Sequence, residues 1–168
     1  TLAAYTADGW LCTGDIATID ANMHIRIVDR MKNIVKQPCG EYISLEFIEG
    51  KYHACPIVDQ ICVVADAFHD ATVALVVPNQ KALAKLSPLP FEQACSDPAV
   101  TQDVLAEMNR TVPDLAPRER VAAIALVHTE WTPENGFLTA ALKLKRSALA
   151  SFFAPQIAEL FQRVSVKH

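Results

Sequence analysis

Apolar and polar residues alternate in some stretches of the chain, run together in others and recur at helical spacing in the rest, and each pattern predicts a different element. Residues Ile16 to Asp20 and the alternating His24-Ile25-Arg26-Ile27-Val28, separated by a turn at Ala21-Asn22, predict a hairpin with one buried face. A charged stretch, "DRMKNIVK", follows it. Ser44 then suits a helix N-cap, and Leu45, Ile48 and Tyr52 recur on one face until Pro56 stops the helix. "DQICVVADAF" and "TVALVVP" read as two strands joined through a polar turn at His69-Asp70, paired antiparallel.

Further on, Asn79 caps a short helix toward Leu86 that "SPLP" breaks. Asp97-Pro98 opens a longer helix with Val100, Val104, Leu105 and Met108 as its inner stripe. "ERVAAIALVHTEW" reads as a third buried strand, "TPENG" as a turn, and the chain closes with helix from about Arg146, interrupted near Pro155. The sum is an α+β fold: a small mixed domain in which helices cover a short, largely antiparallel sheet, preceded by a hairpin that belongs elsewhere. With no repeat and no Gly/Ser linker in sight, charge alone marks the boundary, at "DRMK". It divides the chain into residues 1–31 and residues 32–168.

Composition narrows the classes without choosing among them. A chain of 168 residues, 51% of them hydrophobic, is long enough for one packed domain or a domain plus a piece of another. A formal charge of -4, without a dense basic patch, argues against a nucleic-acid partner. No apolar run approaches the about 20 residues that cross a bilayer, and the N-terminus carries no signal-like core, so no transmembrane segment is expected. The five cysteines, Cys12, Cys39, Cys55, Cys62 and Cys95, show neither C-x-x-C nor metal-ligand spacing. Small buried thiols in a reducing, intracellular compartment are expected, and no metal site. The chain starts at Thr1 and its first residues read as the middle of a longer protein.

Chemistry first shows at "DGWLCTGDIATID". Asp15 follows Thr13 and Gly14, where the chain can turn tightly and leave a carboxylate facing a cleft, a position suited to a ligand hydroxyl. On the residues alone, a turn aspartate bonding its own backbone serves as well.

Taken in order, "DGWLCTGD", "VDRMKNIVK", "GEYISLEFIE" and "ENGFLTAALKLKR" resemble the C-terminal portion of the adenylate-forming enzymes, and most closely the eukaryotic long-chain acyl-CoA synthetases. The resemblance covers nearly the whole chain. It implies a fatty acid activated with ATP and Mg²⁺ to an acyl-adenylate and then passed to coenzyme A. The small C-terminal domain would rotate as a lid on a large N-terminal domain. By resemblance Asp15 accepts hydrogen bonds from the ribose hydroxyls of ATP or AMP. Arg30 falls at a second ribose or phosphate contact, its fork of donors suiting paired oxygens. The plainer account of Arg30 is an exposed arginine paired with Asp29.

Lys32 matches the family's hinge position, and Lys36 a lysine that approaches the active site in the thioester-forming pose, unless it is a solvated surface charge. Gly40 and Glu41, in "PCGEYIS", match the loop that lines the pantetheine tunnel; Gly40 serves equally as a turn before the Ser44 helix, and Glu41 as its solvated flank. Of Lys143 and Lys145, alignment of "LKLKR" with the family's glycine-lysine motif puts Lys143 on the catalytic position of adenylation, with alternation placing both on one face of an extended loop. Lys145 and Arg146 are then flank, or phosphate contacts.

The sequence departs from the family pattern in places. Leu142 stands where short-chain relatives have glycine, Ala140 where the long-chain branch often has proline, Asn33 where it often has aspartate, and Cys12 replaces a more usual histidine or aromatic. No phosphate loop, no glutamate-bearing motif for Mg²⁺ and no acyl tunnel occur, so the Mg²⁺ ligands are expected in the absent N-terminal domain and this chain alone is expected to be inactive. The full-length protein is expected in the cytoplasm or peripherally on an organelle membrane. Two alternatives compete: a luciferase-like or peptide-synthetase-like adenylation domain, and a non-enzymatic small-molecule-binding α/β domain, which would have no reason for an exposed "ALKLKR".

Overall fold

β6 (Thr72–Pro78) is buried along its whole length, and the domain is built around it. In the computed structural model, which describes residues 4–165, β6 lies between β5 (Val58–Val64), paired antiparallel, and β7 (Val121–Leu126), paired parallel. The ends of both expected domains, residues 1–3 and 166–168, lie outside the described residues. A strand covered on both faces needs apolar residues at every position, which is why "TVALVVP" shows no alternation.

Its side chains still divide by the two-residue period. Ala74 and Val76 join Ile61, Val63, Ile48, Tyr52, Val104 and Met108 in one core. Val73, Leu75 and Val77 join Cys62, Trp131, Phe137, Leu149, Phe153 and Leu160 in the other. The first core is covered by α1 (Leu45–Tyr52) and by the crossover from β6 to β7. That crossover comprises α2 (Gln80–Leu86), α3 (Phe91–Ser96) and α4 (Pro98–Thr111). The second core is covered by α5 (Arg146–Phe152) and α6 (Ala154–Ser165), which break at Phe153.

The helix starts follow from their caps. Ser44 Oγ accepts from Phe47 N at 3.2 Å, Asn79 Oδ1 from Ala82 N at 3.0 Å, and Asp97 Oδ1 from Ala99 N at 2.7 Å. Each cap contributes about 1 kcal/mol. Tyr52 ties the first core together: its hydroxyl donates to Asn109 Oδ1 at 2.5 Å and accepts from Val121 N at 2.9 Å, joining α1, α4 and β7.

Several expectations need correction. The first hairpin, β1 (Asp15–Ile19) with β2 (Ile25–Arg30), forms with the expected turn, but its apolar residues Ile19, Ile25, Ile27 and Val28 are exposed and it has no buried face among the described residues. β5 ends at Val64, not at Phe68, because Asp66 Oδ1 accepts from Phe68 N and His69 N, each at 2.9 Å, and folds residues 65–71 into a loop. Cys12 and Cys39 are exposed, and only Cys55, Cys62 and Cys95 are the expected buried thiols. β3 (Ile34–Lys36), β4 (Tyr42–Ser44), α3 and the 3-10 turn Met31–Asn33 are not foreshadowed by the sequence pattern.

Candidate functional site

Asp15 begins β1 and Arg30 ends β2, and antiparallel register sets them opposite each other. Arg30 Nε lies 3.2 Å from Asp15 Oδ1, with the two side chains 57% and 26% exposed, so both polar ends remain open to a ligand. Gly14, at φ +74°, makes the turn that delivers Asp15, a conformation in which a Cβ is strained. The Gly14 carbonyl accepts from Met31 N at 2.8 Å, closing the base of the hairpin.

The pairing of Arg30 with Asp29 does not occur. Asp29 is buried at 6% exposure and is held by three donors: Arg30 N at 2.6 Å, Asn33 Nδ2 at 3.2 Å, and the Ser44 hydroxyl. Its carboxylate therefore faces inward while Arg30 turns to Asp15. Lys32 follows in a single 3-10 turn, Met31–Asn33, and is exposed.

Lys36 ends β3, with its ammonium 5.7 Å from the centre of the Tyr42 ring on the facing strand. Between β3 and β4 the chain reverses through residues 37–41, where Gly40 N donates to Gln37 O and Gln37 N to Glu41 O, each at 2.9 Å. Gly40, at φ +88°, has open space where a Cβ would stand, so its freedom serves the turn. Glu41 is exposed, 3.6 Å from Arg118 Nη1, and Cys39 N donates to Asp70 Oδ1 at 3.0 Å, pinning the loop to the 65–71 segment.

Lys143 occupies a closed turn, not the extended loop expected. Thr139 N donates to Lys143 O at 2.8 Å, Leu142 N to Thr139 O at 2.9 Å, and Lys143 N to Thr139 Oγ1 at 3.1 Å, while Leu138 and Leu144 bridge below. Leu142 takes φ +56°, the left-handed conformation in which glycine is unstrained. Lys143 and Lys145 are both exposed, and the Lys145 backbone N donates to Phe137 O at 2.8 Å.

Arg146 is not available as a phosphate contact. Its Nη1 donates to Glu49 Oε1 at 2.7 Å and its Nη2 to Glu49 Oε2 at 2.5 Å. Burial pushes the Glu49 carboxyl above its ordinary value, and the hydrogen bonds from Arg146 pull against that shift. Sequence reasoning missed Glu49 altogether. It stands four positions after Leu45, on the face of α1 that carries Ile48 and Tyr52, but a glutamate there reads as one more polar helix position, and its partner lies 97 residues away.

Among the described residues no group of three or more His, Cys, Asp and Glu side chains is placed to hold a metal ion, and no helix is long and apolar enough to cross a membrane. The structure thus gathers Asp15 with Arg30 beside Lys32. It places Lys36 with Gly40 and Glu41 on the β3–β4 hairpin, and Lys143 on a separate turn.

No protein-family model matches the chain. Long-chain-fatty-acid–CoA ligase 1 of Saccharomyces cerevisiae is 40% identical over 159 residues, covering 87% of this chain and 23% of the ligase. Ligase 4 of the same yeast is 38% identical over 174 residues, covering 96% of this chain and 25% of the ligase. Among solved structures, the A domain of a carboxylic acid reductase from Segniliparus rugosus, in complex with AMP and a co-purified carboxylic acid, superimposes with a TM-score of 0.85 at 26% identity, over 98% of this chain and 25% of that one. The chain spans about a quarter of the length of the curated relatives it matches. It belongs to the long-chain-fatty-acid–CoA ligase family of adenylate-forming enzymes and corresponds to the C-terminal part of its members.

Proposed function

We propose that the chain is the mobile lid, with its hinge, of a long-chain fatty acid:CoA ligase. In the first half-reaction the fatty acid carboxylate attacks the α-phosphate of ATP, forming the acyl phosphate anhydride and releasing pyrophosphate. In the second, the thiol of coenzyme A attacks the acyl carbon and AMP leaves. The observation that carries the reading is the exposed Asp15–Arg30 pair beside the turn that holds Lys32. A carboxylate that can accept from two vicinal hydroxyls, next to a guanidinium that can donate to phosphate, suits a nucleotide at a domain edge.

The remaining roles follow from chemistry and placement. Lys143, an exposed ammonium on a fixed turn, offsets the charge that gathers on the α-phosphate and the attacking carboxylate. Rotation at Lys32 withdraws it and brings Lys36 and the Gly40–Glu41 loop to the thiol channel. Mg²⁺, held by ligands in the N-terminal domain, would neutralise the ATP phosphates when bound. Free thiols and the reaction itself point to the cell interior, in the cytoplasm or on the surface of an organelle membrane.

In the full-length enzyme, Lys143→Ala should lower acyl-adenylate formation by roughly 10²-fold or more, with thioester formation from supplied acyl-adenylate preserved. Lys145→Ala should do far less. A larger loss from Lys145→Ala would exchange the two lysines; intact adenylation in both variants would remove the lid reading of this turn.

A further inference from the structure

The tip of the Lys143 turn, residues 140–143, is closed by hydrogen bonds to Thr139 and buries no side chain of its own. Ala141, Leu142 and Lys143 are exposed, so the direction of the ammonium is set by the backbone between two legs, Leu138 on one side and Leu144 to Arg146 on the other. The second leg ends in a two-point ion pair. Arg146 opens α5, its guanidinium meets both oxygens of Glu49, and its Nη1 also donates to the Val63 carbonyl at 3.2 Å. Glu49 Oε1 accepts in addition from Val63 N at 2.7 Å. The Glu49 side chain is 7% exposed and that of Arg146 is 21% exposed, so the pair is shielded from competing water. One carboxylate on α1 thereby fixes β5 and the first residue of α5 together.

A planar fork on a carboxylate fixes orientation as well as distance, which a lone ammonium or a neutral amide does not. Only Leu144 and Lys145 separate Arg146 from Lys143, too short a leg to absorb a shift at its base. We propose that Glu49 is a positioning residue for Lys143: through Arg146 it sets the downstream leg of the turn and aims the ammonium for adenylation. This rests on the reading of Lys143 given above.

The test is made in the full-length enzyme with Glu49→Gln, which keeps the side chain's size but offers one acceptor where two guanidinium nitrogens donate. Single-turnover adenylation should slow by about tenfold, as displacement of a reacting group by a fraction of an ångström does. The KM for ATP and thioester formation from supplied acyl-adenylate should stay within roughly twofold, a split that general loss of fold does not produce. Arg146→Lys, which keeps the charge and loses the fork, should act in the same direction, and the double variant should be no slower than the slower single one, since both remove one contact. Equal slowing of both half-reactions, or multiplied effects in the double variant, overturns the proposal. If Glu49→Gln does not fold, Arg146→Lys decides; if neither folds, the pair is a structural brace and the proposal falls. Lys143→Ala, run alongside, separates the two readings. Intact adenylation there refutes the role of Lys143 and the inference with it, whereas its loss beside a normal Glu49→Gln enzyme refutes the positioning role alone.

Discussion

Arg30 reaches across the first hairpin to Asp15, 3.2 Å away, and leaves its chain neighbour Asp29 to the interior. A half-exposed pair of this kind contributes only about 0–1 kcal/mol to folding. Its open geometry fits a binding role instead. Asp15→Asn should therefore leave the melting temperature of the domain nearly unchanged, yet raise the KM of the full-length enzyme for ATP by roughly tenfold or more, because hydrogen bonds to a charged group are worth about 1.5–3 kcal/mol. A lowered melting temperature with unaltered KM would make the pair structural.

Leu142 is 70% exposed and sits at φ +56°, so it contributes backbone strain and little packing. Left-handed backbone costs an ordinary residue about 1–2 kcal/mol, and glycine's extra freedom in the unfolded chain returns only part of that. Leu142→Gly should raise the stability of the domain slightly, and Leu142→Val, branched at Cβ, should lower it by about 1 kcal/mol. Thermal melts of the two variants in opposite directions would bear this out; a lower melting point for the glycine variant would contradict it.

Lys32 lies in a 3-10 turn, where φ near −65° is already the rule, so proline's ring fits there, with the cost falling on Met31. The proposed hinge would then be held in one pose. If that pose is the adenylating one, the full-length Lys32→Pro enzyme should accumulate acyl-adenylate in a burst near one per active site while thioester formation slows far more. Equal slowing of both steps would indicate damage to the fold, and normal thioester formation would place the hinge elsewhere.

Burial pushes the Cys62 thiol up to about 12 and the Cys95 thiol up to about 11. A thiol reacts as its thiolate, so near neutral pH neither should be modified in the folded chain. Of the five cysteines, the exposed Cys12 and Cys39 should react promptly with a disulfide reagent, and Cys55, Cys62 and Cys95 only on unfolding. Prompt titration of a third thiol would show that one of the cores opens.

The parts of the fold that were legible in the sequence are those decided locally. Ser44, Asn79 and Asp97 announce helices because their side chains bond the very amides the helix leaves free. The run at β6 announces a strand with two covered faces. β3 and β4 escaped because strands of three residues carry too little periodicity, and α3 because its six residues begin directly after Pro90. The parallel pairing of β7 depends on the crossover through α2 to α4, which no pattern within β7 records. For the candidate site, resemblance picked out Asp15 and Arg30, but that they meet each other depends on cross-strand register. Glu49 looked like one more polar helix position, since only the folded chain brings Arg146 to it.

Asp29 precedes Lys32 in the chain, and Ser44 follows it. The Ser44 hydroxyl nevertheless donates to the Asp29 carboxylate while it caps α1, and Asn33 donates to the same carboxylate from the other end of the 3-10 turn. The pivot proposed at Lys32 would therefore be latched: the strand on one side grips the helix on the other. Turning there means either that β2 travels with the lid or that a buried carboxylate gives up two of its donors on each stroke. In the second case the latch would act as a detent, holding the proposed lid in discrete stops instead of letting it drift.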